Sequence, residues 1–414
     1  MQTSAQKSNF IWNMIGSLMY SLNSFILLIV VNRVAGETAG GIFTFAYSHS
    51  QLMYYIATLE VRPIQSTDVK EKYPFSSYFS LRITSTIIMI LCSIIYVIVE
   101  GGGPEKSRII LYLCIYKAIE AVEDLFASLY QQRDCIRYTG MLSTLKVGAS
   151  MTIFIIILVV SKNLELACIA MIVVSLIVML TYNVHLWKRF ERAEISFHTT
   201  DFKEILVASF PLFVSVFVML YISNAPKYAI NDYCTDVIQN KYSILFMPAF
   251  VINLFSQFIL RPLLTTMARV WNENNIKRFE KDVIKMLKGI ALLTLLGLIG
   301  AYLLGIPLLS LVYGVNLDGD RMVLMIVMCY GGLNAVNTFL YDMIAVTRQQ
   351  KWLLVGYIVA ALVVMPLSPI LVRLYGMMGA ITASCIAIGV LDVILSIVVI
   401  NVIRKKKRSL GGIK

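Results

Sequence analysis

Residues 111–134 read LYLCIYKAIEAVEDLFASLYQQRD, an apolar-looking run with charges set inside it. At 100° per residue, Lys117, Glu120, Glu123, Asp124, Ser128 and Gln131 fall on one arc of a helix. Ile115, Ile119, Val122, Leu125, Phe126 and Leu129 fall on the other. A soluble protein would use such a pattern for a surface helix, but the segments on both sides of it are too long and too apolar for that reading. If the helix crosses a bilayer, each charge at mid-depth costs about 2.5–3.5 kcal/mol on insertion scales. The polar arc is therefore expected to face a water-filled cavity or paired charges, with the rest of the chain as the wall around it. Lys117 is expected to pair with Glu120, three residues on, or with a neighbouring helix. The carboxylates of this span are expected to matter more to function than to folding.

Outward from this stretch, composition sets the class. Of 414 residues, 58% are hydrophobic and 14% charged, against about 25% charged in soluble domains, and the mean hydropathy is +0.76. This is a polytopic membrane protein. The 10 prolines, 23 glycines and 11% aromatics fit helical spans better than a barrel, whose strands would alternate every second residue. The run from Phe10 to Val31 is longer than a signal-peptide core, with no small-residue cleavage site after it, and is expected to remain in the mature protein.

About 20 apolar residues span the hydrocarbon, and twelve segments meet that measure: Phe10–Val31, Gly41–Leu59, Phe79–Val99, Ile109–Tyr130, Thr139–Val160, Leu166–Leu186, Ile205–Ser223, Ile238–Leu260, Leu287–Leu309, Met322–Val346, Trp352–Leu371 and Met377–Ile400. The fourth is marked by its charges, the tenth by Gly331, Gly332, Asn334, Asn337 and Asp342. With the N-terminus in the cytoplasm, most Lys and Arg lie on that side, including Arg261 to Lys288 and the tail Arg404–Arg408, as the positive-inside rule requires. Both termini are then cytoplasmic, the external connections are short, and the net charge of +12 follows from loop placement, with no nucleic acid as partner. Cysteines placed at Gly102 and Leu317 are expected to label from outside, and at Lys70 and Lys277 from inside.

The polar stretch from Lys188 to Glu204 divides the chain into two six-helix lobes, 1–195 and 196–414. Span two ends in Val61-Arg62-Pro63-Ile64-Gln65-Ser66-Thr67 and span eight in Leu260-Arg261-Pro262-Leu263-Leu264-Thr265-Thr266. Six spans separate the matching positions, so the repeat is parallel and its axis runs along the membrane normal. The fold expected is all-α, with about twelve transmembrane helices in two pseudo-symmetric bundles around a central cavity.

The sequence carries no P-loop, no G-x-S-x-G and no H-E-x-x-H, so neither an enzyme nor an ATP-hydrolysing pump is indicated. The seven cysteines and three histidines do not cluster at metal-ligand spacing, and no metal or cofactor is expected. What remains is charge at depth: Arg33 closes span one, Lys117 lies in span four, Lys227 follows Asn224-Ala225-Pro226 and Arg261 closes span eight. Cations so placed suit a phosphate or pyrophosphate through charge-assisted hydrogen bonds, while Arg33 and Arg261 also fit snorkelling from a helix end to a headgroup. Glu120, Glu123 and Asp124 are open to three roles: accepting hydrogen bonds from sugar hydroxyls, binding a coupling proton or sodium ion, or neutralising the cavity cations. Asp342 and Asp392 read as structural partners. Prolines within or at the ends of spans, among them Pro63, Pro211, Pro226 and Pro262, supply bends. The basic tail reads as a topology anchor, with a specific acidic-lipid site as the alternative.

Asn13 and Trp12 leading to Asn32-Arg33, the stretch Ala39-Gly40-Gly41-Ile42-Phe43, the loop from Arg62 to Val69, Ala225-Pro226-Lys227-Tyr228-Ala229-Ile230 and Tyr375-Gly376-Met377-Met378-Gly379-Ala380 together resemble the polysaccharide (O-antigen type) flippase branch of the multidrug/oligosaccharidyl-lipid/polysaccharide exporter superfamily. The resemblance covers almost the whole chain. It implies flipping of undecaprenyl-pyrophosphate-linked oligosaccharide units from the cytoplasmic to the outer leaflet of a bacterial cytoplasmic membrane, by alternating access between an N-lobe and a C-lobe. It also implies a cationic central cavity, corresponding here to Arg33, Lys117 and Lys227, with Arg62 and Arg261. Its implied partners are the lipid-linked oligosaccharide, membrane lipid, a coupling ion and other polysaccharide assembly proteins. The twelve spans do not include the two extra C-terminal spans of the peptidoglycan-precursor flippases, so a lipid II substrate is not expected. Two alternatives stand beside this reading. An ion-coupled antiporter for drugs or small cations would want an acidic cavity, and the fourth span favours it. A membrane glycosyltransferase or polymerase would want large external loops.

Overall fold

The expected spans are helices, and two pairs of them run on without a loop. The structure, a computed structural model, describes residues 4–68, 70–190 and 199–411. Helix α1, Ser4–Thr58, carries spans one and two and bends at Gly36, where φ is 89° and ψ 177°. Helix α12, Lys351–Gly411, carries spans eleven and twelve and bends at Gly376, with φ 55° and ψ −132°. Both bends lie at positive φ, where a Cβ is strained, so one glycine replaces the connecting turn. Between them run α2 (Arg62–Thr67), α3 (Phe75–Glu100), α4 (Pro104–Gln132), α5 (Arg137–Ser161), α6 (Leu164–Phe190), α7 (Thr199–Tyr233), α8 (Asp236–Asn272), α9 (Ile276–Gly300), α10 (Ile306–Tyr313) and α11 (Arg321–Val346). A π-helical turn, Ala301–Gly305, joins α9 to α10, so the ninth span is continuous. Among the described residues, with α1 and α12 counted twice and α9–α10 once, the helical segments long enough to cross a membrane number twelve, and no strand occurs. The protein is an all-α, multi-pass membrane protein.

Large apolar side chains stand exposed on the outer spans, as at Ile87, Leu91, Ile95 and Ile98 on α3 and Leu292, Leu295, Leu296 and Ile299 on α9. Such faces are stable only against lipid tails.

The chain forms two compact units, Met1–Phe217 and Val218–Lys414. The boundary expected at 195/196 lies within residues 191–198, outside the described residues. In the first unit α4 packs against α1, α2, α3, α5 and α6. Its apolar arc meets protein and not lipid: Leu125, Phe126 and Leu129 are buried with Phe75, Tyr78, Leu81 and Leu186 in one cluster, and only Ile115 is exposed. Helices α1 and α5 cross where Gly16 and Gly140 face each other, so closely that a Cβ at Gly140 would collide with the backbone carbonyl of Trp12. Small residues at such a crossing let two membrane helices gain dispersion contacts that lipid tails do not match. Outside the spans, Lys72 and the Tyr73 hydroxyl both donate to Glu204, at 2.8 and 2.7 Å. The carboxylate holds the Lys72 ammonium above its usual range.

In the second unit α11 packs against α8, α9 and α12. The polar and glycine positions of the tenth span are explained by this enclosure. A Cβ at Gly331 would lie 3.0 Å from Ala249 Cα, and one at Gly332 would lie 2.6 Å from Thr294 Cγ2. Asn337 donates to Asp392 Oδ1 at 3.0 Å, the structural pairing expected of that aspartate.

The loop after α10 folds inward at Val315 and Leu317, which are 2% and 0% exposed, while Asp318 is exposed. Leu317 is thus a poor reporter of sidedness. In a background lacking the seven native cysteines, cysteines at Gly102 and Asp318 are expected to react with an impermeant maleimide from outside, and those at Lys70 and Lys277 only after permeabilisation. Reversal at any of these four would break the topology.

Candidate functional site

Helix α4 sets its charges over two turns, and three other elements of the first unit answer them. Lys117 Nζ lies 2.6 Å from Glu120 Oε2, the pair expected from the spacing. The other oxygen of Glu120 lies 3.4 Å from Lys146 Nζ on α5, and Lys146 Nζ is 2.5 Å from Glu123 Oε2. Asp124 is shared by two arginines, Arg82 from α3 at 3.1 Å and Arg62 from α2 at 2.9 Å, one to each carboxylate oxygen. Four cations thus meet three carboxylates in two adjacent runs of ion pairs, Lys117–Glu120–Lys146–Glu123 and Arg82–Asp124–Arg62. Charges desolvated at this depth are stable only when paired and hydrogen-bonded.

Aromatic rings complete the pairing. Lys117 is 0% exposed, and its ammonium stands 4.8 Å from the centroid of Tyr47 and 5.3 Å from that of Tyr20, where the ring quadrupole attracts a cation. The Tyr20 hydroxyl donates to Glu120 Oε2 at 3.2 Å.

Beside this ladder lies a cavity of about 360 Å³. Glu120, Glu123, Asp124, Lys146 and Arg62 form its charged wall; Asn13, Ser17, Tyr20 and Ser21 of α1, with Gln51, Tyr54 and Tyr55 beyond the bend and Thr139 and Ser143 of α5, form a neutral, hydroxyl-rich one. A second cavity of about 440 Å³ is lined by Thr58, Glu60, Pro63, Ser66, Thr67 and Gln131, and it shares Tyr54, Tyr55, Arg62 and Asp124 with the first. The Arg62–Asp124 pair therefore borders both cavities. Arg62 is 37% exposed and also donates to Gln131 Oε1, whereas Arg82 is 2% exposed and donates to the Ala57 carbonyl at 3.1 Å. Arg82 is built into the fold, and Arg62 faces the open space.

Of the residues expected to form the site, the structure brings together Arg62, Lys117, Glu120, Glu123 and Asp124. Lys117 is sealed behind Glu120 and the tyrosines and does not line the cavity. Arg33 is exposed on α1, three residues before the Gly36 bend, and is not part of the cavity lining. Lys227 belongs to the second unit, on α7, and is partly buried. Arg261 lies on α8, and its side chain falls outside the described residues. Arg82 and Lys146 were not anticipated. The signal was present, since each is a lone cation inside an apolar span and three carboxylates on one span require more partners than Lys117. No group of histidine, cysteine and carboxylate side chains suited to a metal occurs among the described residues.

No family model matches the chain. The capsular polysaccharide biosynthesis protein CapF of Staphylococcus aureus is similar to it, 22% identical over 327 residues, which is 78% of this chain and 81% of that protein. Among solved structures, a multidrug resistance MATE family transporter of the MOP superfamily superposes over 97% of this chain and 99% of its own, with a TM-score of 0.69 and 13% identity. The lipid II flippase MurJ superposes over 95% and 90%, with a TM-score of 0.71 and 13% identity. This chain has the MOP-superfamily transporter fold. A MOP-superfamily transporter from Pyrococcus furiosus matches over 96% of this chain and 95% of its own at a TM-score of 0.57 and 14% identity. Within this transporter fold, the first unit of the present chain encloses a cavity in which each wall carboxylate already has a cationic partner.

Proposed function

We propose that this protein is a flippase that carries undecaprenyl-pyrophosphate-linked oligosaccharide units across a bacterial cytoplasmic membrane by alternating access, using a proton or sodium gradient and working beside other polysaccharide assembly proteins. The observation that carries this reading is the cavity of the first unit, where a partly exposed arginine adjoins a wall of hydroxyls and amides. Guanidinium groups bind phosphate oxygens through paired, charge-assisted hydrogen bonds. Hydroxyls, amides and tyrosine rings suit a sugar. Asp124 acts as the resting partner of Arg62: when a phosphate arrives, Arg62 turns to it and Arg82 still compensates the carboxylate. The similarity to a capsular polysaccharide biosynthesis protein supports the same substrate class.

The likeness to a multidrug transporter and the acidic α4 favour a second reading, an antiporter for cationic drugs. That role needs a carboxylate free to take the cation, and Glu120, Glu123 and Asp124 are each held by a lysine or arginine within 3.1 Å.

Reconstitution tests the proposal. Proteoliposomes holding a fluorescent undecaprenyl-pyrophosphate disaccharide are expected to expose inner-leaflet lipid to an impermeant quencher faster than protein-free vesicles. Equal rates with and without protein, together with uptake of an organic cation, would replace the flippase by the antiporter.

A further inference from the structure

The tail Arg404–Arg408 is read from sequence as a topology anchor, but it does not hang free. Helix α12 continues through it to Gly411, and two of its five cations are committed to the second unit. Lys406 donates to the backbone carbonyl of Trp271, with its ammonium 4.0 Å from the centroid of that indole. Lys407 lies 3.1 Å from both oxygens of Glu280. The tail is pinned to α8 and α9, which fixes where its other cations stand.

Those others continue a groove. Trp352, at the start of the eleventh span, and Ile394, Ile397, Val398, Asn401 and Val402, at the end of the twelfth, line an apolar cavity of about 240 Å³. On α12 the helical spacing that joins 394, 398 and 401 reaches Lys405 and Arg408 next, and both are exposed. Trp352 is 40% and Ile397 53% exposed, so the groove opens outward. A tryptophan beside Lys351 at a span's end marks headgroup depth. The surface thus pairs an apolar slot at the level of acyl chains with cations at the level of phosphates.

We propose that this groove is a binding site for one anionic phospholipid of the bilayer, its acyl chain against Trp352, Ile397 and Val398 and its phosphate against Lys405 and Arg408. Basic pockets between membrane helices bind such headgroups. Charge complementarity selects the anionic lipid, because a zwitterionic headgroup brings its own ammonium against the two cations. The site does not depend on what the first unit transports.

Trp352 is its own probe. In phosphatidylcholine vesicles containing the full chain, a minor fraction of phosphatidylglycerol brominated on its acyl chains is expected to quench the Trp352 emission, taken as the difference between the protein and its Trp352→Phe variant. The same fraction of brominated phosphatidylcholine quenches far less, and unbrominated phosphatidylglycerol relieves the effect. Each cation contributes about a fivefold preference, so the pair Lys405→Gln and Arg408→Gln is expected to reduce apparent affinity about 25-fold. Lys406 and Lys407 keep the tail docked in that variant. Lys281→Gln with Lys285→Gln, which removes exposed cations of α9, leaves the preference unchanged. Equal quenching by the two brominated lipids, or a preference that survives loss of Lys405 and Arg408, overturns the proposal. Relief by undecaprenyl phosphate but not by phosphatidylglycerol overturns it as well and gives the groove to a polyprenyl chain.

Discussion

Replacing Glu120 by alanine is expected to destabilise the protein by about 3–5 kcal/mol, the cost of breaking a buried ion pair from one side. Glu120 is the shared anion of two lysines: one oxygen is 2.6 Å from Lys117 and the other 3.4 Å from Lys146. Lys146 keeps Glu123 when Glu120 is lost. Lys117 does not fare as well, because it is fully buried and its nearest charged partner is gone. Tyr47 and Tyr20 remain over its ammonium, but a cation–π contact is worth about 2 kcal/mol even when desolvated, less than the desolvation it must offset. The measurement is the thermal midpoint of the detergent-solubilised protein, expected to fall by roughly 5 °C. Adding Lys117→Met to Glu120→Ala removes the stranded charge and should recover most of the loss. A Glu120→Ala protein with an unchanged midpoint would show that the pair contributes nothing to folding. A fall of that size would reverse, for this residue, the expectation that the fourth-span carboxylates matter more to function than to folding.

The same residues show what a sequence of this kind discloses. Charges at helical spacing inside a span stand out because their cost in lipid is large, so the polar arc of α4 and the Lys117–Glu120 pair were legible at once. The twelve spans were legible for the same reason. Arg82 and Lys146 were not, since a lone cation in an apolar run also fits snorkelling or a local error of span length, and only the fold places them opposite Asp124 and Glu123. The first and last hairpins of the chain were expected as loops. They are single bends at Gly36 and Gly376, because one residue at positive φ turns the helix without interrupting its hydrogen-bonded ladder for long. Arg33 was read as the end of a span, yet α1 carries on past it to the bend, which leaves its side chain exposed and away from the cavity of the first unit. A cysteine at Leu317 was expected to label from outside because the residue lies in a short external connection. The alternation of Val315 and Leu317 against Asn316 and Asp318 turns the apolar pair inward, a pattern of period two that is easily missed in six residues.

Replacing Arg62 by alanine is expected to cut flipping roughly 30-fold while the protein still inserts and folds. The figure follows from about 2 kcal/mol for hydrogen bonds to a charged group. Folding survives because Arg62 is the outer of two arginines on Asp124: Arg82, buried and tied to the Ala57 carbonyl, still compensates the carboxylate. Arg82→Ala should do the opposite, lowering the thermal midpoint because it strands Asp124 on one partner at the surface of the cavity. Lysine at position 62 keeps the charge but loses the planar fork that spans Asp124 and Gln131, so partial transport is expected, with the loss in apparent substrate affinity and not in maximal rate. That contrast would separate binding from architecture at two arginines that share one carboxylate. Full activity in Arg62→Ala would remove the arginine from the transport path and leave Lys146 as the sole cation of the cavity wall available to a phosphate among the described residues.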